Sequence, residues 1–250
     1  MKKRLFILTS ALIIAFATIL AATQIFINTS PKMNHDNSST HLLDSTEIQL
    51  PPPSLNGTMS VEEALYKRRS VRNYSDIPLS LNQVSQLLWA AYGVTKTSQG
   101  SGRMYKTAPS AGAIYPLEIY ILAGNVEYLE PGLYQYIPAT HVLIPQKMGD
   151  LREDTKNACL EQNAITNAPA SIVFTAVCER TTSKYGTRGK ERYVSMEVGH
   201  AAQNVYLQAT AMGLGTTAIG AFNDEALHKL LNLPNEQEVF YLMPIGYIKE

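Results

Sequence analysis

Cysteine is nearly absent from this chain. Cys159 and Cys178 are the only two in 250 residues, and neither belongs to a CxxC pair. Two thiols give no disulfide framework; both read as buried apolar residues, with a pairing between them left open. Metal-ligand spacing is missing as well. The five histidines, at positions 35, 41, 141, 200 and 228, form no ligand pattern and no HExxH occurs, so no metal site is expected. His200, in the run Glu197-Val-Gly-His200, reads as a packing or polar contact. Neither a GxGxxG fingerprint nor a GxSxG elbow is present, which leaves Rossmann-type dinucleotide binding and serine hydrolysis unsupported. Nor is there an excess of either charge: 21 Lys and Arg balance 21 Asp and Glu. With no basic footprint, a nucleic-acid partner is not expected.

Charge is missing altogether from one long stretch near the amino terminus. After the basic Met1-Lys-Lys-Arg4, no formal charge occurs until Lys32. An apolar run of about 18 residues or more can cross a bilayer, whereas the core of a secretory signal is usually about 7 to 15. Residues 1–31 are therefore expected to be a membrane anchor. A cleaved signal peptide is the alternative, because Ala21-Ala22 offers small residues to a peptidase. The basic flank precedes the run, so the remainder should lie outside the cytoplasm, anchored or secreted. Residues 32–57 are rich in Ser, Asn, Thr and Pro and include Pro51-Pro52-Pro53; they read as a polar tether. Residues 58–250 suffice for one domain with a sizeable core.

Within that domain, Ser60-Val-Glu-Glu63 and Ser80-Leu-Asn-Gln83 have capping-box spacing. They predict helices running toward Arg68 and through QVSQLLWAAYG. The stretch TKTSQGSGRMYKTAPSAGA reads as a long loop. Strands are predicted over 114–123, 132–137, 171–178, 216–222 and 238–248. Helices are predicted over 150–162, 224–231 and along RYVSMEVGHAAQNVYLQATAMGLG, where apolar residues recur at helical spacing. Helices and strands mix without strict alternation and no repeat is evident. The expected class is α+β, with helices packed on a largely antiparallel sheet.

Three stretches could carry chemistry. Arg68-Arg69-Ser70-Val71-Arg72 puts three guanidiniums and a hydroxyl within five residues; such forks match phosphate oxygens, but cations also suit a solvated helix end. Ala108-Pro109-Ser110-Ala111-Gly112-Ala113 is almost free of side chains, so a flat ligand could approach its amides; an ordinary loop would look the same. KYGTRGKERY, residues 184–193, has two glycines, two tyrosines and four cations, and by itself reads as a charged connection.

The order of RRSVRNY, LLWAAYG, APSAGAIYPLEIYI, PGLYQY, KYGTRGKERY, MEVGHAAQN, GLGTTAIGAF and MPIGYI resembles the flavin-dependent nitroreductase superfamily, specifically its SagB/ThcOx-type branch, which includes azoline oxidases of peptide natural products. The resemblance covers about 50–248. It implies a nitroreductase-like α+β fold that forms a homodimer with FMN at the interface. By the same resemblance, Arg68, Arg69, Ser70 and Arg72 would hold the phosphate and the ribityl-pyrimidine side. Pro109, Ser110, Ala111 and Gly112 would lie against the isoalloxazine, Ile219 and Gly220 near its other edge, and Lys249 would meet the phosphate. Two positions depart from general nitroreductases: Ala113 stands where an Asn is common, and Ile219 where a Glu is common. Both departures fit the SagB-type branch.

The resemblance further implies that Lys184 and Tyr185 are catalytic, acting as base and charge stabiliser when a thiazoline or oxazoline loses a proton and a hydride. The alternative for this pair is a solvated cap. The expected activity is thus an FMN-dependent dehydrogenase acting on a small or peptide-derived substrate. The alternatives are an NAD(P)H-dependent nitro or quinone reductase and a tethered flavin-binding protein without turnover.

Overall fold

The structure, a computed structural model, describes residues 47–249. Its strands in chain order are β1 (Ile48–Gln49), β2 (Val94–Thr97), β3 (Met104–Lys106), β4 (Leu117–Ala123), β5 (Gly132–Ile137), β6 (Val142–Met148), β7 (Ala170–Val177), β8 (Leu214–Thr216) and β9 (Gln237–Tyr247). Its α-helices are α1 (Val61–Lys67), α2 (Leu81–Tyr92), α3 (Arg152–Ala158), α4 (Ala164–Asn167), α5 (Glu179–Tyr185), α6 (Ser195–Ala211) and α7 (Asp224–Leu230). Seven strands form one sheet in the order β1-β6-β5-β4-β7-β9-β8, and every neighbouring pair in it is antiparallel.

Both faces of this sheet are apolar, and strand alternation sorts the residues between them. Leu117, Ile119 and Ile121 of β4 and Ile172 and Phe174 of β7 pack with Leu87 and Leu88 of α2 and Val198, Ala202 and Val205 of α6. Tyr120 and Leu122 of β4 and Val173 of β7 turn the other way, onto Cys159, Ile165 and Leu227. The α+β class with helices on an antiparallel sheet is therefore as expected. Both cysteines are buried and free.

The two N-terminal caps form as the spacing predicts. Ser60 Oγ accepts from Glu63 N, and Ser80 and Gln83 complete a reciprocal capping box. Elsewhere the sequence reading needs correction. The long loop after Gly93 contains the β2–β3 hairpin, and β6 had no predicted counterpart. The charged stretch 184–193 is helical rather than a loop. It comprises the end of α5, a reversal at Gly186 (φ +62°), and a π-helical turn over Gly189–Val194 that runs into α6. Part of the expected tether also belongs to the sheet: β1 pairs with β6, and Leu50 is buried.

The expected membrane attachment is likewise corrected. Among the described residues no helix is long and apolar enough to cross a membrane. The apolar segment on which anchor, signal and export rested, within residues 1–31, lies outside the described residues, as do 32–46 of the tether.

One register positions the site. Leu117 pairs with Ala176, and Val177 N donates to Pro116 O at 3.0 Å. In an antiparallel pair the entry to one strand lies beside the exit from the other. The small-residue loop leading into β4 is thereby set next to α5, which leaves β7. An ion pair of 2.6 Å between Arg180 of α5 and Glu118 of β4 adds to the juncture. Gly189 closes it from the other side, since a Cβ there would stand 2.8 Å from Thr181 C and 2.9 Å from Thr182 N. Gly189→Ala is expected to lower stability by about 1–3 kcal/mol, because backbone cannot yield as a flexible side chain would. Urea denaturation measures this, and an unchanged midpoint would contradict the close packing of α5 on the π-helical turn.

Candidate active site

The loop before β4 is conformationally costly. Gly112 (φ +64°), Ala113 (φ +52°) and Tyr115 (φ +57°) are all left-handed within four residues. For a non-glycine residue such a backbone costs about 1 kcal/mol or more, and the surroundings must hold it. They do so through Ser110, whose Oγ accepts from Tyr115 N at 2.8 Å and whose carbonyl accepts from Ala113 N at 3.0 Å.

Over this loop the end of α5 brings two polar tips together. A Cβ built on Gly112 would stand 2.7 Å from Tyr185 Oη and 2.9 Å from Lys184 Nζ. The Tyr185 ring is braced edge-on by Tyr193, with centroids 4.9 Å apart. Lys184 is exposed and Tyr185 half-buried. The structure thus gathers Lys184, Tyr185, Ser110, Ala111 and Gly112 at one end of the sheet, with Pro109 exposed beside them.

Beneath the loop lies a polar cluster that sequence reasoning missed. Glu197, near the start of α6, is 2% exposed. Its carboxylate accepts from Tyr92 Oη and faces the Ser110 hydroxyl. Burial pushes its pKa up, against the pull of the Ser110 and Tyr92 hydroxyls and the Lys106 charge. Lys106 Nζ sits 3.7 Å from the Tyr92 ring centroid and 5.1 Å from that of Tyr115. Burial lowers its pKa to about 8, with Glu118 and Glu197 pulling the other way. No single residue of this cluster signals it in the sequence. Tyr92 reads as a helix end, Lys106 as loop charge, and Glu197 as part of a helical run.

The basic segment lies elsewhere along α6. Ser70 Oγ is 3.2 Å from Tyr206 Oη, which also accepts from Ala218 N at 2.8 Å. The Arg68 guanidinium lies 5.2 Å from the Tyr206 ring centroid. Gly215 lets this segment approach β8, since a Cβ there would meet Val71 at 2.7 Å. Arg69 instead folds back to donate to Tyr66 O and Arg68 O, the helix-end role that the sequence left open for these cations. Arg72 is exposed.

The remaining candidates stand apart. Ile219 is buried in the second core, and its amide and carbonyl both bond to Leu242; Gly220 beside it is exposed. Lys249 lines a cavity of about 500 Å³ with Asn73, Tyr74, Asp76 and Asn167, to which the Arg68–Arg72 segment contributes nothing. Among the described residues no cluster of His, Cys, Asp and Glu could hold a metal.

What the geometry defines is an α+β domain with a strained loop, a lysine–tyrosine pair and a basic segment arranged along one helix. Residues 65–247 match the family described as Nitroreductase family. A nitroreductase-named protein of Methanocaldococcus jannaschii is 45% identical over 203 residues, which is 81% of this chain and 97% of that one. A crystal structure of a nitroreductase-named protein from Ralstonia eutropha aligns with TM-score 0.70 and 30% identity, over 82% of this chain and 90% of that one. The microcin B17-processing protein McbC of Escherichia coli is 28% identical over 160 residues, 62% of this chain; the chain spans 57% of McbC. A structure of the Escherichia coli microcin synthetase McbBCD complex with truncated pro-MccB17 bound shares the fold, with TM-score 0.60 and 22% identity over 90% of this chain and 86% of that one.

The chain belongs to the nitroreductase family, a family of oxidoreductases. Members of that family generally bind FMN.

The Lys106 environment makes a pH prediction. An ordinary lysine stays charged to about 10.5, so the unfolded chain holds this proton longer than the folded one, and stability should rise with pH between about 8 and 10.5. Lys106→Met, which never ionises, should exceed the wild type most below pH 8, and the gap should narrow across that window. Denaturation series at several pH values test it; a pH-independent gap would contradict the desolvated ammonium.

Proposed function

We propose that this chain is an FMN-dependent oxidoreductase of the SagB/ThcOx dehydrogenase type, transferring a hydride between an azoline-like, small or peptide-derived substrate and flavin N5. The observation that carries this reading is the convergence of Lys184 Nζ and Tyr185 Oη on the side-chain-free face of Gly112. The microcin B17-processing name of one relative favours a peptide-derived substrate.

The residues present fit the cofactor. Gly112 leaves its backbone bare beside the pair, so a flat ring system could lie against it. Tyr206, which holds Ser70 near Arg68, stands nine positions beyond Glu197 on α6. At 1.5 Å per residue that is about 13 Å, a separation that suits a ring at one end and a phosphate at the other. Arg68, Ser70 and Arg72 would bind the phosphate, with Arg69 contributing less because its guanidinium is engaged with backbone. Ser110, Ala111 and Gly112, with Pro109 at the margin, would face the ring. Gly220 rather than the Ile219 side chain would offer contact at the other edge, and Lys249 would need the phosphate to reach its cavity.

FMN, when bound, supplies the two-electron acceptor. This chain supplies proton transfer and position. Tyr185 Oη or Lys184 Nζ takes the ring-carbon proton of the azoline, and the other tip stabilises the charge that develops. Tyr193 holds the phenol in place.

Homodimerisation belongs to the same reading. Met196, Gly199, His200 and Gln203 make an exposed stripe on α6, and Val61, Leu65 and Tyr66 of the adjoining α1 are 65%, 53% and 79% exposed. A glycine inside a helix costs about 0.5–1 kcal/mol, yet a Cβ on Gly199 would meet nothing within 4 Å. A second helix approaching closely would account for it. Gly199→Leu should then convert a dimer to a monomer in sedimentation analysis; a wild-type monomer would sink this point.

A second reading, NAD(P)H-driven reduction of nitro or quinone acceptors, is favoured by the nitroreductase names of two relatives that this chain matches over nearly their whole length. Anaerobic absorbance separates the two. Bleaching of the bound flavin by an azoline, and not by NADPH, is expected; bleaching by NADPH alone supports the second reading. Lys184→Ala and Tyr185→Phe should retain FMN and slow azoline oxidation by about 10²- to 10⁴-fold. Normal turnover in both would remove the pair from catalysis, and a folded protein that takes up no FMN would overturn the proposal itself.

A further inference from the structure

Glu197 is a carboxylate in the core with no ion-pair partner within 4.0 Å among the described residues. Taking a charge out of water is expensive, so its placement calls for a reason other than stability. Its contacts supply one. Tyr92 Oη donates to the carboxylate and in turn accepts from Leu117 N at 3.3 Å, at the first residue of β4. The Ser110 hydroxyl faces the same carboxylate while its oxygen accepts from Tyr115 N. One buried carboxylate therefore accepts from the Tyr92 hydroxyl and has the Ser110 hydroxyl beside it, and the two hydroxyl oxygens accept the amides of Leu117 and Tyr115 where the loop enters β4. Gly112, the first left-handed residue of that loop, is the residue over which Lys184 and Tyr185 meet.

We infer that Glu197 is a positioning residue: through Ser110 and Tyr92 it holds the 110–117 loop in the conformation that sets Gly112 against the Lys184–Tyr185 pair. The inference rests on the catalytic reading of that pair, but its mechanical part does not. The anion matters because of hydrogen-bond direction. An ionised carboxylate can only accept, which leaves both hydroxyl protons pointing at it and both oxygens free to accept amides. A glutamine at 197 keeps the shape but presents an NH₂ to one of the hydroxyls. That group competes with the amide for the hydroxyl's lone pairs. Facing the carboxylate are Ser110 from the loop, Tyr92 from α2 and Lys106 from β3, and Lys106 is itself flanked by Glu118 and Arg180.

The test compares wild type with Glu197→Gln, and with Tyr92→Phe should the first variant not fold. Burial holds the Glu197 pKa above 4.5. As pH rises past that value the unfolded state loses its proton first, so the wild type loses stability that a neutral Gln keeps. Glu197→Gln is thus expected to match or exceed the wild type in urea midpoint at neutral pH. Hydrogen–deuterium exchange at the Tyr115 and Leu117 amides should nevertheless quicken by about tenfold or more while the β4–β7 ladder stays protected. FMN-linked turnover should fall in parallel. Unchanged protection at 110–117 in the folded variants, or protection lost evenly over the sheet, would overturn the inference. Exchange is read with or without flavin, so a failure of the functional reading would show as altered loop exchange in a protein without turnover.

Discussion

Glycine at 112 leaves the backbone bare beneath the Lys184 and Tyr185 tips. A Cβ there would press on Tyr185 Oη and Lys184 Nζ, and the backbone at φ +64° is one that glycine adopts without strain. That close approach joins the loop before β4 to the end of the helix after β7, and the site is built around it. Any larger residue would push the lysine and tyrosine tips away from the backbone they now touch. The antiparallel register of β4 and β7 makes that closeness possible, because it places the entry of one strand beside the exit of the other.

Strain at this loop is balanced by polar groups in the core. Ala113 and Tyr115 are held left-handed by hydrogen bonds that begin at Ser110. Ser110 is oriented by a carboxylate that burial disfavours, and near it lies an ammonium that burial disfavours as well. Neither ion occupies the place that stability alone would select. Left-handed backbone and perturbed ionisable groups are concentrated at this one end of the sheet.

Much of the frame was legible in the residues. The Ser60 and Ser80 caps, the apolar spacing of α6 and the apolar run of β4 are local patterns, and local patterns are what a sequence displays. The order of short motifs also singled out Lys184, Tyr185 and the 109–112 loop, which the structure brings close together. Other features were hidden for a physical reason. The β2–β3 hairpin is exposed and Gly-rich, so no apolar alternation announces it. The 184–193 stretch lacks an apolar period, yet tertiary contact at Gly189 lets it coil. Ile219 had been placed at a ligand's edge, but its side chain belongs to the second core. The membrane expectation rested on composition outside the described residues, and no described helix supports it.

By itself the sequence determined the class of fold, because hydrophobic period and capping chemistry act over a few residues at a time. It also determined which small and basic segments could be functional, and through their order the family. Only the tertiary structure decided which of those segments meet. Glu197, Tyr92, Lys106 and Ser110 come from a helix, a second helix, a hairpin and a loop, and their chemistry exists only where strand register and helix packing bring them into one desolvated space. Burial creates their pKa shifts and the directions of their hydrogen bonds, and burial belongs to the whole fold rather than to any short stretch of it.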